Sequence, residues 1–216
     1  MDFSLWLTFV AASTALLLIP GPTVLLVLSY ALSQGRRVAV ATALGVAAGD
    51  LIAMTAALAG LGALITASAT AFTVLKWIGA TYLLWLGWSM FRQANHTTSF
   101  PARGLPSTQE DMAPVTPSAV FRHAAVVTAL NPKSIGFFVA FVPQFIRPDA
   151  PVLSQGAVIV ATFVGLAALN ALAYALLAER LRHHLASPAA IRWLTRSGGV
   201  ALMGMGAATA LLRRAT

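Results

Sequence analysis

The chain has 216 residues, 58% of them hydrophobic and only 9% charged, with a mean hydropathy of +0.80. Soluble domains carry about 25% charged residues, so a soluble globular protein is excluded and a membrane-embedded one expected. A net charge of +8 therefore speaks of membrane orientation rather than of nucleic acid, and zero cysteines remove disulfides, thiolate metal sites and thiol redox chemistry.

Six hydrophobic segments follow in chain order, each near or above the ~20 residues that cross ~30 Å of hydrocarbon. The first, 4–34, carries no formal charge and is interrupted at Leu18-Ile19-Pro20-Gly21-Pro22-Thr23. It lacks a basic leader and is far longer than a signal-peptide core, so it is expected to be a retained helix. The second, 38–66, contains Gly45 and Gly49, a small-xxx-small contact surface, followed at once by Asp50. The third, 71–92, and the sixth, 194–212, are the tightest, with Lys76, Arg92, Arg196 and Arg213 required to snorkel at their edges. Between the third and fourth lies a polar stretch, 93–118, with four prolines together with Glu110 and Asp111, which reads as a linker. The fourth, 119–146, is interrupted at Leu130-Asn131-Pro132-Lys133-Ser134, and the fifth is 152–178. Trp6, Trp77, Trp88 and Trp193 lie near segment ends and read as interfacial anchors, while Trp85 is expected to pack in the core.

The linker divides the chain three plus three, and the halves resemble each other. Residues 41–50 and 161–170 share Ala, Thr, Gly and an Ala-Ala pair, placing Gly45 opposite Gly165 and Asp50 opposite Asn170. Gly79 and Gly87 correspond to Gly198 and Gly206, and Pro20 to Pro132. An odd number of spans per half makes the copies inverted in the membrane. The expected fold is thus all-α and integral to the membrane. Six transmembrane helices form two inverted three-helix repeats, 1–92 and 119–216, joined by the linker 93–118, and the first helix of each half is broken at proline.

Orientation follows from basic residues. Arg36, Arg37, Arg92, Arg103, Arg122, Arg180, Arg182, Arg192 and Arg196 fall on one side of a six-span arrangement, and Lys76, Arg147, Arg213 and Arg214 on the other. The positive-inside rule puts the first group, and the linker, in the cytoplasm, with the Arg213-Arg214 pair counting against it.

Few residues could carry chemistry. A helix broken inside a bilayer has no water to satisfy its backbone, so each break needs polar partners or a cavity. Two breaks at matching places suggest a carrier with its site near the midplane. Pro20-Gly21-Pro22 frees carbonyls before the break and presents amides after it, where a helix start attracts anions such as a carboxylate. A plain packing kink is the simpler reading of that motif alone, and Asn131-Pro132-Lys133 adds an amide, a second break and a charge. Asp50 is the one acidic residue deep in a segment, ~18 Å along its helix. An intramembrane carboxylate is costly and functional by default, which makes it a candidate proton carrier. Lys133, at similar depth, could pair with Asp50, bind a substrate carboxylate, or do each in different states. Asn170, the counterpart of Asp50, keeps the shape without the charge. Gly45, Gly49 and Gly165 are expected to serve helix packing. His96, His123, His183 and His184 form no ligand-spaced cluster, so no metal and no cofactor is expected.

At these motifs the chain resembles the LysE/RhtB family, the lysine exporter and homoserine/threonine resistance proteins of bacteria. The likeness rests on Pro20-Gly21-Pro22, on Gly45 with Gly49-Asp50, and on Asn131-Pro132-Lys133 followed by Phe137-Phe138 and Gln144-Phe145. It implies a multi-pass protein of the bacterial inner membrane that exports amino acids or close derivatives, driven by the proton gradient. The partners implied are an amino-acid-like solute, protons and the lipid bilayer, and a homo-oligomer is compatible with it. The competing classes are an exporter of another small solute or cation, a passive channel and an intramembrane enzyme. An enzyme would need an activated nucleophile and base, or a metal pair, at one depth, and no deep histidine, cysteine or second acid stands beside Asp50 and Lys133.

Overall fold

The computed structural model describes residues 1–19, 21–34, 36–67, 69–93, 115–147, 150–185 and 188–211. The regular structure among them is helical: α1 (Phe3–Leu18), α2 (Pro22–Gln34), α3 (Arg36–Ala67), α4 (Ala69–Gln93), α5 (Pro117–Ala129), α6 (Pro132–Ala140), a 3₁₀ turn at Val142–Phe145, α7 (Val152–Leu185) and α8 (Pro188–Leu211). Most of the linker 93–118, the proline Pro20 and the pair Arg213-Arg214 lie outside the described residues.

Stretches Val38–Gly60 of α3 and Val152–Ala178 of α7 are long and apolar enough to cross a membrane. Two bent pairs join them when each is taken as one span, α1 with α2 at 59° and α5 with α6 at 46°. The bends sit where the sequence places its breaks, because a proline at the start of α2 and of α6 cannot donate into the preceding turn. Helices α4 and α8, 25 and 24 residues long, have the length to cross but a more polar composition, with Lys76, Arg192, Arg196 and several Trp, Tyr and Gly residues.

The bent pairs run in opposite directions. Arg147, just after the 3₁₀ turn, is ion-paired with Asp2 at 2.7 Å, at the start of α1. At the other end, the Tyr30 hydroxyl of α2 lies 2.8 Å from Nδ1 of His123 near the start of α5.

Glycine decides how closely the helices approach. A Cβ at Gly49 would lie 2.5 Å from the Ala125 carbonyl and 2.7 Å from the Thr128 side chain, and Gly45 lies as tightly on Phe121 and Ala124, so α3 rests on α5 backbone to backbone. Gly87 and Gly199 do the same for α4 against α8, and Gly198 seats α8 on Ile19 at the end of α1. Gly165, by contrast, has nothing within 4 Å of where a Cβ would stand, so the structure gives it no packing contact. Trp85 is 60% exposed on the outer surface rather than in the core, as suits an indole against lipid.

Along the elements the interior runs apolar, polar, apolar. One core joins Phe9 and Leu16 of α1, and Ile19 just beyond it, to Met54, Leu83, Phe137, Phe138, Phe141, Phe145, Ile159, Phe163 and Leu202. Some of its rings meet edge to face, Phe138 and Phe163 at 4.8 Å and 86°, and others stack, Phe9 and Phe137 at 6.5 Å and 29°. A second core is built of small residues, Val27, Ala39, Ala43, Val46, Ala124, Ala171 and Ala175. Asp50 falls between Val46 and Met54 on α3, Asn170 between Ala167 and Ala171 on α7, and Asn131 and Lys133 between Ala124 and Phe137 on α5 and α6, so one polar layer separates the two cores.

Gly49→Ala should lower stability by about 1–3 kcal/mol, because the added methyl must push α3 off α5. Gly165→Ala should be neutral or stabilising by up to about 1 kcal/mol through helix propensity. Thermal unfolding of the two variants in one detergent checks both signs, and equal effects would contradict the packing described.

Candidate functional site

The polar layer is organised by carbonyls that α1 leaves without partners. A helix ends with four C=O groups lacking intrahelical donors, and those around Leu16–Ile19 lie where a bilayer offers no water. Ile19 donates its amide to the Leu16 carbonyl at 3.3 Å, closing a last tight turn. The remaining donors come from far along the chain. Lys133 Nζ donates to the carbonyls of Leu16, at 3.0 Å, and Ile19, at 2.8 Å. Asn170 Nδ2 donates to the Leu17 carbonyl at 3.1 Å, and the Tyr174 hydroxyl to that of Leu18 at 3.2 Å. Four successive carbonyls of α1 are thus held by three side chains of α6 and α7.

The second break supplies its own partners. Asn131 caps α6, its Oδ1 accepting from the Lys133 amide at 3.0 Å, while its own amide donates to the Thr128 carbonyl at 3.0 Å. Its Nδ2 donates to Thr23 Oγ1 at 3.0 Å, tying the start of α6 to the start of α2. Thr23 and Thr128 hydroxyls stand 3.5 Å apart beside it.

These groups line a small cavity bordered by, among others, Leu17, Thr23, Val27, Val46, Asp50, Asn131, Lys133, Ser134, Asn170 and Tyr174. It measures about 30 Å³, enough for one or two waters and too little for an amino acid. Asp50 is 2% exposed and its Oδ1 has no hydrogen-bond partner in the structure. Lys133 is buried too, and the two charges act on each other although they form no direct ion pair. An ammonium bound to helix carbonyls and a carboxylate across the cavity together suit a solute with one positive and one negative end.

The structure therefore brings Gly21, Asp50, Asn131, Lys133 and Asn170 together, Gly21 because a Cβ there would lie 3.4 Å from Lys133 Nζ. Pro22 and Pro132 are exposed and turned away; they make the breaks without lining the cavity. Sequence reasoning missed Thr23, Thr128, Ser134 and Tyr174. Tyr174 had a signal, since it stands four residues after Asn170 and so on the same helical face.

Comparison with known proteins identifies the family. The model of the family described as LysE type translocator matches residues 14–213. The chain belongs to the LysE family. Family members are membrane translocators that carry out efflux, so this LysE protein is a transporter and not an enzyme. It is 34% identical over 215 residues, covering 100% of both chains, to the homoserine/homoserine lactone efflux protein of Salmonella typhimurium. An uncharacterized membrane protein of Vibrio cholerae is 32% identical over 95% of this chain and 96% of its own. The leucine efflux protein of an Enterobacter species is 33% identical over 72% of this chain and 70% of its own. No solved structure matches the chain.

Asn170→Leu removes the donor from the partly buried Leu17 carbonyl and should cost about 1–2 kcal/mol. Unfolding by heat or denaturant checks it, and wild-type stability in that variant would show that the Leu17 carbonyl has another donor.

Proposed function

We propose that this LysE-family chain is a secondary transporter of the bacterial inner membrane that exports amino acids or close derivatives, driven by the proton gradient. It is built as six spans in two inverted repeats, 1–92 and 119–216, with 93–118 as a cytoplasmic linker. The observation that carries the reading is the small polar cavity between the two breaks, holding a buried carboxylate with an unpartnered oxygen opposite a buried ammonium. The repeat reading is supported by Asp50 and Asn170, equivalent in the two halves, lining that one chamber, and by the opposite directions of the two bent pairs.

Substrate and coupling roles follow from charge. Asp50 and Lys133 are the two charged residues lining the chamber, so they match the amino and carboxylate groups of a solute and leave none for a charged side chain. The apolar remainder, Val24, Val27, Val46, Ala167 and Ala171 with the hydroxyls of Thr23 and Ser134, suits a small neutral side chain. The names of the relatives, homoserine and leucine efflux proteins, agree with that choice. Asp50 takes up a proton from one side and releases it on the other, because an ionisable group at this depth holds its proton according to the side it faces.

The two apolar cores set the direction of easiest opening. The core on the Arg147 side is thick with phenylalanine, whereas that on the Tyr30–His123 side is made of alanine and valine. The thinner barrier faces the side that the basic residues put in the cytoplasm, which suits loading from within and export.

Asp50→Asn should keep the fold and some solute binding but abolish the acceleration of efflux by a pH gradient, leaving at most slow downhill exchange. Efflux of labelled leucine and homoserine from proteoliposomes, wild type beside variant, reads this. Gradient-sensitive efflux by the variant would remove Asp50 from coupling.

A further inference from the structure

Lys133 does something that neither solute binding nor ion pairing requires. Its ammonium is turned away from direct contact with Asp50 and into the end of α1, on the carbonyls of Leu16 and Ile19 at 3.0 and 2.8 Å. A helix C-terminus carries roughly half a negative charge, and carbonyls unwound at a helix break are the groups with which broken-helix carriers hold a coupling cation. The other two carbonyls of the same turn, Leu17 and Leu18, are held by the neutral donors of Asn170 and Tyr174. That leaves the converging pair, Leu16 and Ile19, for the charged group. Across the cavity stands Asp50, buried and with an oxygen free of partners, acting on the same ammonium through space. Gly21 borders the place, with 3.4 Å between the position of a Cβ there and the ammonium nitrogen.

We propose that the broken end of α1, with Asp50 as counter-charge, is a monovalent-cation site that this chain fills with its own Lys133 ammonium, so that it needs no sodium or potassium. Lysine suits the task because its ammonium is a compact point charge on a flexible stem, and a tethered cation is present at all salt concentrations. The coupling ion is then left to be a proton. The site itself stands on the geometry. Only its consequence for transport rests on the carrier reading given above.

The test uses purified wild type, Lys133→Ala and Lys133→Met, each in nanodiscs, with the thermal unfolding midpoint as readout. Wild type should give the same midpoint in sodium, potassium and choline chloride. Lys133→Ala, which empties the site, should unfold several degrees lower and be restored saturably by methylammonium, as expected for a ligand that binds the folded state, but not by bulky tetramethylammonium. Lys133→Met fills the space without charge and should not respond. Lys133→Ala that yields folded protein only with methylammonium present counts the same way. A wild-type midpoint that rises with sodium, or a Lys133→Ala variant that ignores saturating methylammonium, overturns the proposal. Efflux measured alongside separates the two readings. Gradient-driven efflux that requires sodium removes the tethered cation and keeps the carrier. An ion-indifferent midpoint with no solute flux does the reverse.

Discussion

A helix that ends inside a membrane leaves carbonyls that water cannot reach, and the interior of this protein is arranged around that constraint. A buried carbonyl left bare costs several kcal/mol in hydrocarbon, so α1 can stop at Leu18 only because donors arrive from elsewhere. They come from residues more than a hundred positions away, Lys133, Asn170 and Tyr174. The first break is therefore completed by the second half of the chain. The second break is capped by its own Asn131, and reaches the first half through Thr23.

This asymmetry has a mechanical consequence. On the proposed carrier reading, opening the interior around a substrate would part some of the bonds to the α1 carbonyls, so solute binding and helix movement would draw on the same groups. A cavity with room for one or two waters is too small for an amino acid, so admission of one would have to widen it. The glycine contacts of α3 on α5 and α4 on α8 hold those pairs backbone to backbone. They are suited to move as units while the small-residue core between α2, α3 and α7 gives way.

Much of this was legible in the sequence. The breaks, the isolation of Asp50 and Lys133 among apolar residues, and the pairing of Gly45 and Gly49 with a neighbour depend on local patterns, namely proline spacing, an isolated charge and small residues four apart. What could not be read was which groups satisfy which. That Lys133 turns to carbonyls rather than to Asp50 depends on where the end of α1 comes to rest, a matter of tertiary packing set partly by Gly198 against Ile19. Thr23, Thr128 and Ser134 were invisible because hydroxyls are common in membrane helices and carry no positional mark. Gly165 misled for the opposite reason: its repeat partner packs and it does not, since symmetry in sequence does not oblige each copy to keep the same neighbour. Trp85 went astray because an aromatic at mid-helix reads equally well as core or as lipid-facing surface.

The central claim is that solute binds between the two breaks and in doing so loosens the hold of the second half on the end of α1. An experimental structure with leucine or homoserine bound tests it most directly. The account predicts solute density between Gly21–Thr23 and Asn131–Lys133, within reach of Asp50, with the bonds from Lys133, Asn170 or Tyr174 to the α1 carbonyls lengthened or broken. Density elsewhere in the protein, with those bonds and the small chamber unchanged, would contradict it.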